Sequence, residues 1–232
     1  VITYMETSKH LQSGHGHSIN LSTLLSRGSM QKYPKLFKEH GYIHVKEFIP
    51  KEVGKYLFEY LRFSSHAMVL ANRFEGDWHA GHGDDQVPGS FAPRHGDMAF
   101  QALMRQMRPK MEELTGLSLC PTYTYVRLYR MGNILKKHKD RPSCEISVTV
   151  KLSDTGEYNW PIFMDGTECS LGDGDAVIYR GCDLEHWREP CEGGLKYRLG
   201  QVFLHYINKD GPHYPEFAYD KRPYGKLFES DL

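Results

Sequence analysis

Three His-x-Asp triplets stand in this sequence: His82-Gly-Asp84, His95-Gly-Asp97 and His138-Lys-Asp140. Each sets an imidazole and a carboxylate two residues apart. On an extended strand that spacing points both side chains to one face, where they can bind a single metal ion side by side. About 0.7 such triplets arise by chance in a chain with this His and Asp content, so context must choose among them. His82 and Asp84 fall in a glycine-rich stretch that fixes neither orientation nor burial. His95 and Asp97 precede a Met-rich amphipathic segment, where Asp97 serves as a helix-start residue favoured by the dipole. His138 and Asp140 lie between two alternating segments, near the start of a strand. They alone have a suitable downstream partner, His186, which follows the turn and buried run Gly174-Asp-Ala-Val-Ile-Tyr179. A lone loop histidine beside Trp187 would ordinarily be a surface residue. Strand pairing can instead bring His186 back to His138, giving two imidazoles and one carboxylate with open positions, a donor set suited to non-haem Fe(II).

Twelve residues after His186 comes Arg198, in the apolar run KYRLGQVFLHYI. If it faces inward with Gly200, Val202 and Leu204, its charge is costly unless an anion meets it. A dicarboxylate chelating the metal at one end and pairing with the guanidinium fork at the other would supply that anion. Lys196 shares the parity of Arg198 and competes for the same task.

These residues need strands to hold them. The period is two from Pro121 onward, and predicts strands at 122–130, 144–152, 158–164, 175–179 and 196–207, separated by turn residues. Before them, residues 41–49 alternate as a strand. Pro50 opens a helix over the following KEVGKYLFEYLRF. Residues 72–96 read as a long glycine-rich loop. Asp97 to Leu114 forms a helix with Phe100, Leu103, Met104, Met107, Met111 and Leu114 on one stripe, kinked by Pro109 and stopped by Gly116. The Met stripe is core packing. A helical first third followed by short strands predicts a β-sandwich or barrel backed by helices. Residues 1–29, polar and containing His15 and His17, read as a native flexible arm or vector-derived sequence. Residues 30–232 form a single domain.

The full set resembles the Fe(II)/2-oxoglutarate-dependent dioxygenases, and within them the prolyl 4-hydroxylase-like branch. The likeness rests on His138-x-Asp140, His186 behind Gly-Asp-Ala-Val-Ile-Tyr, and Arg198 opening a final apolar strand, and it covers about residues 41–207. The resemblance implies a mainly β fold with flanking helices around a double-stranded β-helix, the jelly roll also seen in cupins. It implies Fe(II) held by His138, Asp140 and His186, with 2-oxoglutarate and O2 as co-substrates and ascorbate as a stimulant. Arg198 would grip the distal carboxylate of 2-oxoglutarate. Tyr129, nine residues before His138, either hydrogen-bonds that carboxylate, as a tyrosine does in related hydroxylases, or is a core aromatic. The implied activity is hydroxylation of a C–H bond in an amino acid or peptide, with succinate and CO2 released. Asp140 fills the place that related halogenases leave to a halide, which favours hydroxylation. Two departures stand out. The span from His186 to Arg198 is longer than usual in this branch, which keeps Lys196 in play. The stretch 72–96, with aromatics at Phe74–Trp78 and Phe91, matches no family motif.

Composition fits this reading. The 232 residues carry 29 basic and 29 acidic side chains, so nothing suggests the cationic surplus of a nucleic-acid clamp. No apolar run reaches the ~20 residues of a membrane helix. Cysteines 120, 144, 169, 182 and 191 are odd in number and contain no Cys-x-x-Cys pair, which excludes a disulfide framework and points to a reducing, cytoplasmic setting. Two rival readings keep the same histidines. One is a cupin-like metal protein without 2-oxoglutarate turnover, which leaves Arg198 idle, and the other is a silent β-sandwich interaction module.

Overall fold

From Leu119 to Asn208 the regular structure is almost all strand, because runs of β-branched and aromatic residues follow one another with turn residues between them. The computed structural model describes residues 32–75, 85–92, 97–156 and 158–222. Its strands are β1 (Tyr42–Val45), β2 (Leu119–Arg130), β3 (Leu135–His138), β4 (Ile146–Asp154), β5 (Ile162–Met164), β6 (Thr167–Cys169), β7 (Ala176–Arg180), β8 (His186–Arg188) and β9 (Arg198–Asn208). They form a five-stranded sheet, β1-β7-β4-β9-β2, and a four-stranded sheet, β3-β8-β5-β6, with every pairing antiparallel. This is the strand order of a double-stranded β-helix.

Helices α1 (Lys32–His40), α2 (Lys51–Glu75) and α3 (Met98–Thr115) precede the barrel and cover the outer face of the larger sheet. Side chains on the strands sort by parity. Val202, Leu204 and Tyr206 of β9, with Val148 and Val150 of β4, point outward into the helix-backed core. Val177 and Tyr179 of β7 point inward and meet Ile162 and Met164 of the smaller sheet. Both faces are therefore buried, which is why these strands read as nearly continuous apolar runs. Gly54 and Gly200 let α2 approach closely. A Cβ on Gly54 would stand 2.5 Å from the Leu152 carbonyl oxygen, and one on Gly200 would stand 2.5 Å from the Phe58 ring.

The helix expected from Asp97 is present. Asp97 caps it by accepting from the Ala99 N–H at 2.9 Å, and Gly116 ends it in the left-handed region at φ 71°. Pro109 lies inside this helix without ending it. Other boundaries shift. Helix α2 continues to Glu75, well past the predicted KEVGKYLFEYLRF, and takes in the start of the expected loop. His82, Asp84, His95 and Trp78 lie outside the described residues, as do residues 1–29, while Phe91 is described, pairing with Leu128 and packing against the core. The predicted strand over 158–164 shrinks to β5, which turns through Asp165-Gly166, both at positive φ, into the unpredicted β6. His138 closes a strand rather than opening one. No described helix is long and apolar enough to cross a membrane.

Candidate metal centre

Short strands position the two histidines. β3 ends on His138, β8 begins on His186, and the antiparallel register sets these residues opposite each other. Their ring centroids are 4.2 Å apart. Asp140 comes two residues after β3 ends, in a segment pinned by its own N–H donating to the Gly181 carbonyl at 2.8 Å. Its Oδ1 is 3.7 Å from His138 Nε2 and 3.6 Å from His186 Nε2. One ligand atom from each of the three lies within 4.8 Å of the others. The sequence therefore named three residues that the fold brings together, although Asp140 arrives by a turn and not by strand parity.

Hydrogen bonding sets the tautomers. His138 Nδ1 is 2.7 Å from the Lys136 carbonyl oxygen and His186 Nδ1 is 3.0 Å from that of Leu184. A carbonyl only accepts, so each Nδ1 carries the proton and each Nε2 turns its lone pair toward Asp140. Burial, and next the neighbouring His186, lower the His138 pKa, so this ring is neutral near pH 7. Burial alone would raise the Asp140 carboxyl, but the imidazoles gathered around it, His186 first and then His205 and His138, hold it below the usual range. Two imidazole nitrogens and a carboxylate fit a divalent first-row metal.

Ser147 and His205 hold the Asp140 carboxylate from behind. The Ser147 hydroxyl lies 3.3 Å from Asp140 Oδ2, 3.0 Å from the Cys144 carbonyl oxygen and 2.8 Å from His205 Nδ1. His205 is fully enclosed, and burial drives its pKa down to about 4. Asp140, Cys144 and His205 also form a second cluster of ligand atoms within 4.8 Å, but it shares Asp140 with the first and belongs to the same site. Gly181 packs directly on Asp140, leaving no room for a Cβ.

The three ligands line a cavity of about 430 Å³ whose wall includes Tyr125, Arg127, Tyr179, Phe203 and His205. Tyr179 packs on His186 with ring centroids 4.7 Å apart, and burial raises its phenol pKa. Arg127 is 2% exposed and lies on β2 with Tyr125 and Tyr129, its guanidinium over both rings at 4.9 and 5.5 Å. Its Nη1 is 3.3 Å from the Tyr129 hydroxyl.

Arg198 requires a correction. It shares its face with Gly200, Val202 and Leu204, as expected, but that face backs onto the helices. The cavity takes the opposite parity of β9, Phe203 and His205. Arg198 Nη1 instead donates to the carbonyl oxygens of Leu195 at 3.1 Å and Tyr197 at 2.6 Å. Lys196 is exposed before the strand begins. Neither lines the cavity, nor does Tyr129, which is a buried aromatic supporting Arg127. Among the described residues, Arg127 and Arg188 are buried cations of the barrel interior, both missed from the sequence. Arg188 lies two residues after His186 on the same strand face. It donates to the Trp160 carbonyl and to Gln201 Oε1 at 3.2 Å. The parity argument applied to the Tyr-x-Tyr-x-Arg-x-Tyr run of β2, or to His186-Trp-Arg188, would have found them.

The sequence matches no protein-family model and no curated protein. Solved structures do resemble it. A Pseudomonas putida prolyl-4-hydroxylase superposes with a TM-score of 0.51 at 16% identity, over 76% of this chain and 97% of that one. The epimerase SnoN from nogalamycin biosynthesis, in complex with Fe3+, alpha ketoglutarate and nogalamycin RO, gives 0.57 at 13% identity, over 85% and 91%. A 2OG-Fe(II) oxygenase-family oxidoreductase from Burkholderia pseudomallei gives 0.52 at 11% identity, over 77% and 92%. The fold of this chain is therefore the double-stranded β-helix that the 2-oxoglutarate- and iron-dependent oxygenases share.

Proposed function

We propose that this chain is an Fe(II)- and 2-oxoglutarate-dependent dioxygenase that hydroxylates a C–H bond of an amino-acid or peptidyl substrate. The observation that carries this reading is the convergence of His138 Nε2, His186 Nε2 and Asp140 Oδ1 on one cavity whose wall also holds a buried guanidinium. The solved neighbour that holds Fe3+ with alpha ketoglutarate supports it. When bound, ferrous iron with 2-oxoglutarate and O2 supplies the oxidation, yielding succinate and CO2 beside the hydroxylated product. The chain's own residues do the rest. His138 and His186 present nitrogen donors, and Asp140 contributes one negative charge held in place by Ser147 and the Gly181 carbonyl. Arg127 takes the distal carboxylate of the co-substrate, the task first expected of Arg198, because it is the buried cation that the cavity reaches. A bidentate guanidinium–carboxylate pair is strongest where the groups are buried, as Arg127 is. Tyr123, Tyr125 and Phe203 give the cavity aromatic walls that shield the reacting C–H bond from solvent.

The test is anaerobic titration with Fe(II) and then 2-oxoglutarate, followed by the visible charge-transfer band, together with succinate release under O2. His138→Ala, Asp140→Ala and His186→Ala should each lose the band and turnover while staying folded. Arg127→Ala should raise the 2-oxoglutarate requirement by one to two orders of magnitude, as expected for losing about 1.5–3 kcal/mol of charged hydrogen bonding. Arg198→Ala and Lys196→Ala should leave it unchanged. Succinate production surviving in all three ligand variants defeats the assignment, and metal binding without any response to 2-oxoglutarate favours the cupin-like alternative.

A further inference from the structure

We infer that the outer face of α2 is a self-association surface on which two copies of this chain pair antiparallel. Helix α2 is amphipathic twice over. Gly54, Leu57, Phe58 and Leu61 face its own barrel and are buried. Roughly opposite them, Val53, Tyr56, Tyr60, Phe63, Ala67 and Leu70 recur at intervals of three and four, the a/d spacing of a coiled-coil seam. Every one of these is exposed. Tyr56 is 72% and Phe63 79% accessible, at the centre of the stripe. Single exposed apolar residues are ordinary, but a heptad-spaced run of six along one helix is the pattern of a helix that expects another helix. At about 1.5 Å per residue, the part of the stripe that two antiparallel copies share, Val53 to Phe63, is roughly 16 Å long, about three turns of contact.

The flanking charges identify the occupant. Beside the stripe run Glu52, Lys55, Glu59 and Arg62, which alternate in sign. Read backward, this series has the opposite sign at every position. A second copy laid antiparallel therefore sets Glu52 against Arg62 and Lys55 against Glu59, twice, about a twofold axis near Leu57. The apolar residues pair about nearly the same axis, Val53 with Phe63 and Tyr56 with Tyr60. A parallel pair in register would instead oppose like charges, which is destabilising. One patch meeting its own copy about a twofold axis is an isologous interface, the commonest closed assembly. Tyr60 is already anchored, its hydroxyl donating to Asp97 at 2.7 Å and its ring tilted on Phe100, so part of the seam is preorganised. The face lies on the helix layer outside the larger sheet, away from the metal ligands, so pairing leaves the cavity open.

One helix per partner puts the contact at the small end of specific interfaces, so the dimer should form in the micromolar range. Sedimentation velocity of the full chain from about 1 to 300 µM spans that regime. The mass should rise from monomer to dimer across the series. Phe63→Glu should hold it at monomer throughout, with an unchanged melting temperature and unchanged Fe(II) binding, because the side chain touches neither core nor cavity. Glu52→Arg and Arg62→Glu should each raise the dissociation constant about tenfold, and the double variant should restore it. A wild-type monomer at the highest concentration overturns the proposal. So does a dimer indifferent to Phe63→Glu, and a charge pair not rescued by the double exchange refutes the antiparallel register.

Discussion

Gly181→Ala tests the site without touching a ligand. The new Cβ would fall inside the contact shells of Asp140 Oδ2 and the Cys144 carbonyl oxygen, and 2.9 Å from Asp140 Cβ, where ordinary contact begins near 3.4 Å. The backbone cannot simply retreat. The Gly181 carbonyl accepts the Asp140 N–H at 2.8 Å, and the Gly181 N–H donates to the Glu145 carbonyl at 2.9 Å. The carboxylate must move instead, by about 1 Å, a displacement that costs on the order of 100-fold where geometry matters. Disturbing what orients a metal ligand lowers affinity by about 10–100-fold, and overpacking costs about 1–3 kcal/mol of stability. Fe(II) affinity should therefore fall within that range. The melting temperature of the metal-free protein should drop by roughly 2–10 °C, leaving a cooperative transition. Gly194→Ala is the control, since nothing lies within 4 Å of its Cβ position. Anaerobic calorimetric titration reads the affinity and scanning calorimetry the fold. A Gly181→Ala protein that melts cooperatively and binds Fe(II) as tightly as wild type refutes the claim that Gly181 sets the position of Asp140.

Ser147→Ala removes the hydroxyl shared by Asp140 Oδ2 and His205 Nδ1. It should weaken Fe(II) binding about tenfold and cost about 1–3 kcal/mol, because a buried imidazole nitrogen loses its partner; unchanged values for both in titration and urea unfolding would exclude the link. Stability of the chelator-treated protein should also fall on acidification. Burial lowers His205 to about 4, so the folded state holds it neutral while the unfolded chain takes up a proton below its ordinary value near 6.5. The contribution is fully present above that value and is lost as pH falls from there toward 4, by about 2 kcal/mol at pH 5. His138 is lowered as well and acts in the same direction. Urea midpoints at pH 7.5 and 5.0 measure the slope, and equal midpoints would contradict a buried neutral His205.

How much of the site could be read in advance depended on how local its cause was. His138, Asp140 and His186 were legible because metal chemistry restricts residue type and the chain keeps the pair two apart. The helix from Asp97 to Gly116 was legible because its cap, its apolar stripe and its left-handed stop are all short-range features. Strands β5 and β6 were not, since three residues each carry too little periodicity, although Asp165-Gly166 marks their turn. Arg198 shows the deeper difficulty. Alternation correctly says which residues of β9 share a face, but β9 is buried on both faces, so hydrophobicity cannot say which faces the cavity. That choice is made by the helices, which claim Val202, Leu204 and Tyr206 for the outer core.

The same parity explains why the barrel keeps a second cation. His186 and Arg188 leave β8 on one face, so the strand that delivers a ligand also buries a guanidinium 2% exposed. Its described partners are neutral: the Trp160 carbonyl, Gln201 Oε1, and the ring faces of Trp160 at 4.9 Å and Tyr129 at 5.9 Å. Gln201 in turn donates to Thr149 at 2.5 Å, so the network ties β8 in the smaller sheet to β9 and β4 in the larger one. Burying an uncompensated guanidinium costs several kcal/mol, and an apolar residue of similar volume would hold the sheets together at lower cost. Burial does pull the Arg188 pKa down, yet an arginine starts high enough to stay charged at neutral pH. Arg127 and Arg188 both pack over the Tyr129 ring, at 5.5 and 5.9 Å, so the barrel interior holds two positive charges close together. That field opposes cationic occupants of the cavity and favours anionic ones. A guanidinium on the cavity wall, Arg127, with a second buried beside it, suits the dicarboxylate co-substrate proposed above better than it suits a silent sandwich.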